Sequence, residues 1–256
     1  MSVEGVGHAA RLEQLHSFIP VAPEVLEDRS LLRRKDTKFA VKPDQVPALL
    51  RALKPDYGVL KAGVASFAAY ETLYFDTSSL RCYHDHRRER RARHKVRIRH
   101  YPDRKLSYLE VKTKTNGSLT LKHRKLKPYA DASMSAADWT FVGTNSGLAT
   151  DLLTPRLWIG FRRLTLVGFE VRERITIDLD IVFRTDKSEH HLPGVAIVEV
   201  KQEPYCSRTP AMLALRSAGM RRTPISKYCV GTMMGDPNIR FGDLSRMLKL
   251  IERLQR

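Results

Sequence analysis

The sequence predicts an α+β fold: a mostly antiparallel β-barrel with flanking helices. Three observations lead there. Eight segments alternate apolar and polar residues with the two-residue period of a strand. Asn116-Gly117 separates two of them, and that dipeptide suits a tight hairpin because it tolerates positive φ. Helical spacing is confined to the two ends and one insertion.

In chain order, residues 8–18 and 22–33 carry helix-like spacing with Pro20 and Pro23 between them. Residues 34–41 (RKDTKFAV) read as a strand stopped by Lys42-Pro43-Asp44. Residues 45–53 form a short amphipathic helix whose face is Val46, Leu49, Leu50 and Leu53. Strands are expected at 70–76, 94–101, 106–115, 118–124, 161–168, 171–183 and 195–203. Residues 128–157, rich in small residues with Trp139 and Pro155, read as helices or a flap. Leu244, Met247, Leu248, Ile251 and Leu254 make the apolar stripe of a terminal helix that docks on the core. With no internal repeat or low-complexity linker, one domain over 1–256 is expected. Its core spans 29–231, with terminal helices at 8–28 and 241–256.

Composition narrows the function. With 42% hydrophobic and 29% charged residues, the chain can bury a core. No apolar run is long enough to span a bilayer, and the N-terminus has no basic-then-apolar secretory pattern. Cys82, Cys206 and Cys229 form no CxxC pair, which argues against a disulfide or thiolate-zinc scaffold and fits a cytoplasmic location. His84 and His86, among arginines, and His190-His191, in a polar turn, read as solvated loop residues rather than metal ligands. The net charge is +17, and residues 81–127 alone hold 17 Lys or Arg against 4 Asp or Glu. Such a field calls for a polyanionic partner: nucleic acid, anionic membrane or a phosphate-rich ligand.

Strand parity chooses among these. Lys95, Arg97 and Arg99 share one face against Val96 and Ile98. Glu110, Lys112 and Lys114 oppose Leu109 and Val111; Lys122 and Arg124 oppose Leu119 and Leu121. Arg172, Arg174, Thr176, Asp178 and Asp180 oppose Ile175, Ile177, Leu179, Ile181 and Phe183. Glu199, Lys201 and Glu203 oppose Val198 and Val200, and Arg34, Asp36 and Lys38 oppose Phe39 and Val41. One such strand is an ordinary solvated face. Six of them, if the sheet closes, line a tunnel with like charges that repel unless anions enter. The interleaved carboxylates would partner the bases or hold a hard divalent cation. Asp178 and Asp180 also read as salt-bridge partners for Arg172 and Arg174. Aromatic residues are nearly absent from these faces, Tyr83 and Tyr101 being the nearest, so stacking on single-stranded nucleic acid ranks low.

The segments RKDTKF, YFD, KVRIRHY, YLEVKTK, KHR, RERITID, VEVKQE and ISKY, in this order, resemble the triphosphate tunnel metalloenzymes of the CYTH-like superfamily. Within that superfamily they look like the VTC catalytic domain, the polyphosphate polymerase branch. The resemblance implies catalytic roles for Lys38, Arg97, Arg99, Lys112, Arg174 and Lys227. It implies phosphate contacts from Arg34, Lys114, Lys122, Arg124, Lys201 and Ser226, the last of these on a closing strand with Lys227. Glu199 would ligate Mn²⁺ or Mg²⁺. The implied partners are ATP, orthophosphate and polyphosphate, with no specific nucleic acid and no membrane span, and with recruitment by a membrane protein left open. Superfamily triphosphatases usually open with Glu-x-Glu-x-Lys; here Arg34-x-Asp36-x-Lys38 replaces one carboxylate with a base, which favours the polymerase over the hydrolase. A triphosphatase or cyclase, or a non-catalytic polyphosphate binder, are the alternatives. The run HDHRRERRARHK reads as a solvated loop in preference to a product-handling patch.

Overall fold

A computed structural model describes residues 18–22, 35–61, 65–115, 120–236, 239 and 245–255. Its strands are β1 (Pro20–Val21), β2 (Lys35–Val41), β3 (Tyr57–Leu60), β4 (Phe67–Asp76), β5 (Arg93–Tyr101), β6 (Leu106–Lys114), β7 (Thr120–Lys127), β8 (Thr154–Gly168), β9 (Glu173–Arg184), β10 (Glu189–His191) and β11 (Ala196–Gln202). They join one sheet whose main path runs β2-β11-β9-β8-β4-β5-β6-β7 with antiparallel neighbours. β3 adds to β8, β1 pairs parallel with β3, and β10 hangs on β9. The helices are α1 (Val46–Leu53), α2 (Arg81–Arg87), α3 (Ala136–Ser146), α4 (Pro210–Ser217), α5 (Lys227–Gly235) and α6 (Ser245–Gln255).

The sheet curls without being hydrogen-bonded shut: β2 and β7 stand at opposite ends of the path. Five strand-to-strand steps separate β2 from β5, which in a flat sheet is about 24 Å. Yet the Lys38 ammonium of β2 acts electrostatically on Lys95 of β5 and Lys112 of β6. The chain after α4 covers the free edge of β2. There the Thr223 N–H donates to the Lys38 carbonyl at 2.7 Å, and Arg222 makes a single bridge to Phe39.

The apolar faces turn outward under helices, as parity requires. Val46, Leu49, Leu50 and Leu53 of α1 are buried with Ala211, Met212 and Leu215 of α4 against Val198, Val200, Ile175, Ile177, Leu164 and Leu166. Burying each large aliphatic side chain contributes about 1.5–3 kcal/mol. α3, capped by the Ser135 hydroxyl accepting from the Asp138 N–H, lays Val142 against Val96, Ile98, Leu109 and Val111.

Several expectations change. Residues 8–17, most of the second predicted helix and Asn116-Gly117 lie outside the described residues; within 18–22, Pro20–Val21 pairs as a strand. The segment 128–157 holds α3, but its last residues already belong to β8. α2, α4 and α5 were not anticipated. In β9 the alternation breaks at Asp180, whose φ of 51° marks a bulge. Two residues of β9 there oppose Phe161 alone, so Ile181 and Phe183 take the same face as Asp178 instead of the opposite one. They pack with Leu157, Ile159 and Tyr228 under α5, which fills an apolar half of the concave side. The polar half remains as the lining of a groove.

Candidate functional site

Three buried or half-buried carboxylates organise the polar half, each gripped by two cations. Glu110 on β6 accepts from the Arg97 guanidinium at 2.6–2.7 Å and pairs with Lys122 across the strand. Asp178 on β9 takes a two-pronged contact from Arg163 on β8, at 2.5 and 2.7 Å, and an ion pair from Lys227. Glu199 on β11 pairs with Lys201 at 2.5 Å and faces Lys38 at 3.6 Å. Burial raises all three carboxyls, but the guanidinium or ammonium groups beside them win and hold each well below the usual range.

Two further cations of the groove are held by neutral groups. Lys95 donates to the Ser226 hydroxyl at 3.0 Å. Arg99 donates to the Thr72 hydroxyl at 3.1 Å and lies over the Tyr70 and Phe161 rings. Burial brings the Lys95, Lys122 and Lys201 ammonium groups down to about 8; Lys38 and Lys112 push Lys95 the same way, and Arg97 pushes Lys122. Lys112 is lowered by burial and by Lys38. The cation excess also reaches Tyr74. Burial raises its phenol, but Arg97, Arg99 and Lys95 bring it down to about 7, and Arg97 donates to its oxygen at 2.9 Å. The groove is built to receive negative charge.

A second network fixes the helices around it. Asp76, fully buried, accepts the Cys82 and Tyr83 N–H groups at 2.8 and 2.9 Å, so the aspartate of YFD tethers the first turn of α2. It also accepts from the Tyr228 hydroxyl at 2.5 Å, and Tyr228 stacks on Tyr74.

Most sequence-expected residues meet on this face: Lys38, Arg97, Arg99, Lys112, Lys122, Glu199, Lys201 and Lys227. Arg124 lies over Tyr108 opposite Glu110, Arg174 stands opposite Lys201, and Lys114 sits at the end of β6 opposite Arg93. Arg34 lies outside the described residues. Ser226 and Lys227 do not form a closing strand; Ser226 caps α5, its hydroxyl accepting from the Cys229 N–H, and Lys227 opens the helix. Asp178 pairs with Arg163 and Lys227, not with Arg172 or Arg174. Tyr83 is wholly buried, and the concave face carries Tyr70, Phe161 and Tyr74, contrary to the expectation of few aromatics there. Those rings serve as platforms for Arg99, Arg163 and Arg97. Arg163 was missed, although the parity of 161–168 sets it with Phe161 and Thr165. His86, expected in a loop, lies on α2 close to Arg93, Lys95, Lys38 and Lys112.

Among the described residues, no three His, Cys, Asp or Glu side chains gather into a metal cage. The donor set fits a divalent cation only as a shared site, with Glu199 as the protein carboxylate and substrate phosphates completing the shell.

A family model described as the VTC domain matches residues 33–234. The chain belongs to the VTC domain family. Its fold is that of the triphosphate tunnel proteins. One similar structure is a Bacillus halodurans protein described as a candidate adenylate cyclase, with TM-score 0.50 and 12% identity, covering 75% of this chain and 95% of that one. Another is a Hippeastrum protein, a candidate adenylyl cyclase described as having a dominant triphosphatase activity, with TM-score 0.47 and 17% identity, covering 78% and 95%. No curated protein sequence matches the chain. No described helix is long and apolar enough to cross a membrane.

Proposed function

We propose that this VTC domain is a polyphosphate polymerase that transfers the γ-phosphoryl of ATP to a growing polyphosphate chain. The observation that carries the reading is the excess of cations over carboxylates in the groove, with Lys95, Lys122 and Lys201 brought down to about 8 chiefly by burial. A triphosphate and a phosphate chain supply the balancing negative charge. Arg97 and Arg99, oriented by Glu110, Tyr74 and Thr72, present planar donors to equatorial phosphoryl oxygens, where charge spreads in the transition state. Lys38, Lys112, Lys122 and Lys227 act as point charges along the chain. The acceptor, orthophosphate or a chain end, is ionised at neutral pH, so no strong base is required. The P–O bond to ADP breaks as the acceptor oxygen bonds to phosphorus, and ADP leaves. When bound, Mn²⁺ or Mg²⁺ shared with Glu199 would neutralise phosphate charge.

The assay is chain growth from ATP and Mn²⁺, read on a polyphosphate gel. Glu199→Ala, and Arg97→Ala with Arg99→Ala, are expected to abolish it; activity retained by either variant overturns the reading. Orthophosphate release from tripolyphosphate without chain growth identifies a triphosphatase. Tight polyphosphate binding without ATP turnover identifies a binder.

A further inference from the structure

One titratable side chain at the groove is used by none of the steps above. His86 lies on α2 three and four residues after Tyr83 and Cys82, both buried, and so shares their inward face. α2 packs on β5 and α5 and is tethered by Asp76, which fixes where that face points. The charged groups that act most strongly on the imidazole are Lys95 and Arg93 from β5, Lys38 from β2 and Lys112 from β6, all of them cations. Among the described residues the ring makes no hydrogen bond, and it is only half-buried. Burial and those four cations keep it neutral far below the ordinary histidine range.

We infer that His86 is a phosphate-binding residue at the Lys38–Lys95–Lys112 end of the groove, and that an oligophosphate seated there brings a proton from solvent onto its imidazole. Without an anion, a charged imidazole would be a fifth positive charge among four. With a phosphate chain between them, the same cations are neutralised, and the imidazolium becomes a further charge-assisted donor. Binding is thereby coupled to proton uptake. The inference rests on the groove being an oligophosphate site.

The test is tripolyphosphate binding by calorimetry at pH 6.5 in two buffers of different ionisation enthalpy. The groove lysines are already charged there, and a polyanion entering a cationic site sheds protons, so net uptake comes from the protein. Uptake approaching one proton is expected, falling in His86→Gln to the share that Tyr74 takes up as its phenolate is reprotonated, about a quarter of a proton at most. That variant should also bind about tenfold more weakly at pH 6.5 and within about twofold of wild type at pH 8.5, where a purely structural role would weaken both alike. On the wild-type protein alone, one imidazole signal in NMR should titrate between pH 6 and 8 only when tripolyphosphate is present. Binding with no uptake, or no histidine whose titration depends on tripolyphosphate, overturns the role of His86. No binding by the wild type overturns the groove reading itself.

Discussion

Replacing Asp178 with asparagine tests the electrostatic logic of the groove most directly. The side chain is 2% exposed and answers both Arg163 and Lys227. Asparagine keeps the volume, so no cavity opens and the effect is one of charge. Two cations would then stand in a half-buried site with no counter-ion. Breaking a buried pair on one side costs about 3–5 kcal/mol. For a domain of this size each kcal/mol moves the melting temperature by about 2–4 °C, which sets the expected loss at roughly 6–20 °C. Differential scanning calorimetry at pH 7 without phosphate measures it. The pH dependence has a defined sign. The folded-state pKa of Asp178 lies below its ordinary value of 3.8. The stability it contributes is therefore fully present above that value and is lost as pH falls towards the folded pKa. The gap between wild type and Asp178→Asn should hold steady from pH 5 to 8 and narrow below pH 4. Tripolyphosphate should recover part of the loss, because it brings negative charge to the same cations. A melting temperature within 2 °C of wild type, or a gap that widens in acid, would refute the reasoning.

Three further outcomes are expected. Lys95, Lys122 and Lys201 have folded pKa values near 8, below the ordinary 10.5, so the unfolded chain binds more protons between these limits. Their contribution to the stability of the anion-free protein therefore rises with pH from 8 to 10, while tripolyphosphate affinity falls; thermal melts and calorimetry across that range read both. Tyr74 should show tyrosinate absorbance near 295 nm growing in around pH 7, lost in Tyr74→Phe. Leu50→Ala, at a wholly buried position of α1, should cost about 2–5 kcal/mol in denaturant unfolding without changing tripolyphosphate affinity in the folded protein.

The parity of Lys95, Arg97 and Arg99, or of Glu199 and Lys201, was legible because alternation along a strand is a local property. α1 was legible for the same reason: Val46, Leu49, Leu50 and Leu53 recur at helical spacing. Short helices with weak local signals were not. The hydrophobic positions of α5 surround it almost completely because it is buried inside the curl, so ISKY reads as a strand when its neighbours are unknown. Likewise the bulge at Asp180 leaves the sequence alternating while the backbone changes phase, and only the pairing with β8 reveals that Ile181 and Phe183 have crossed to the concave side.

Local chemistry therefore decides that this chain makes basic-faced strands. Tertiary structure decides which cations are paired with a carboxylate and which are not. Glu110, Asp178 and Glu199 could each have met several bases, and register and curl select Arg97 with Lys122, Arg163 with Lys227, and Lys201 with Lys38. Curl likewise brings β2 round to β5 and β6 and sets His86 among four cations. Such juxtapositions depend on residues far apart in the chain, and alternation along one strand carries no information about what another strand will place opposite it.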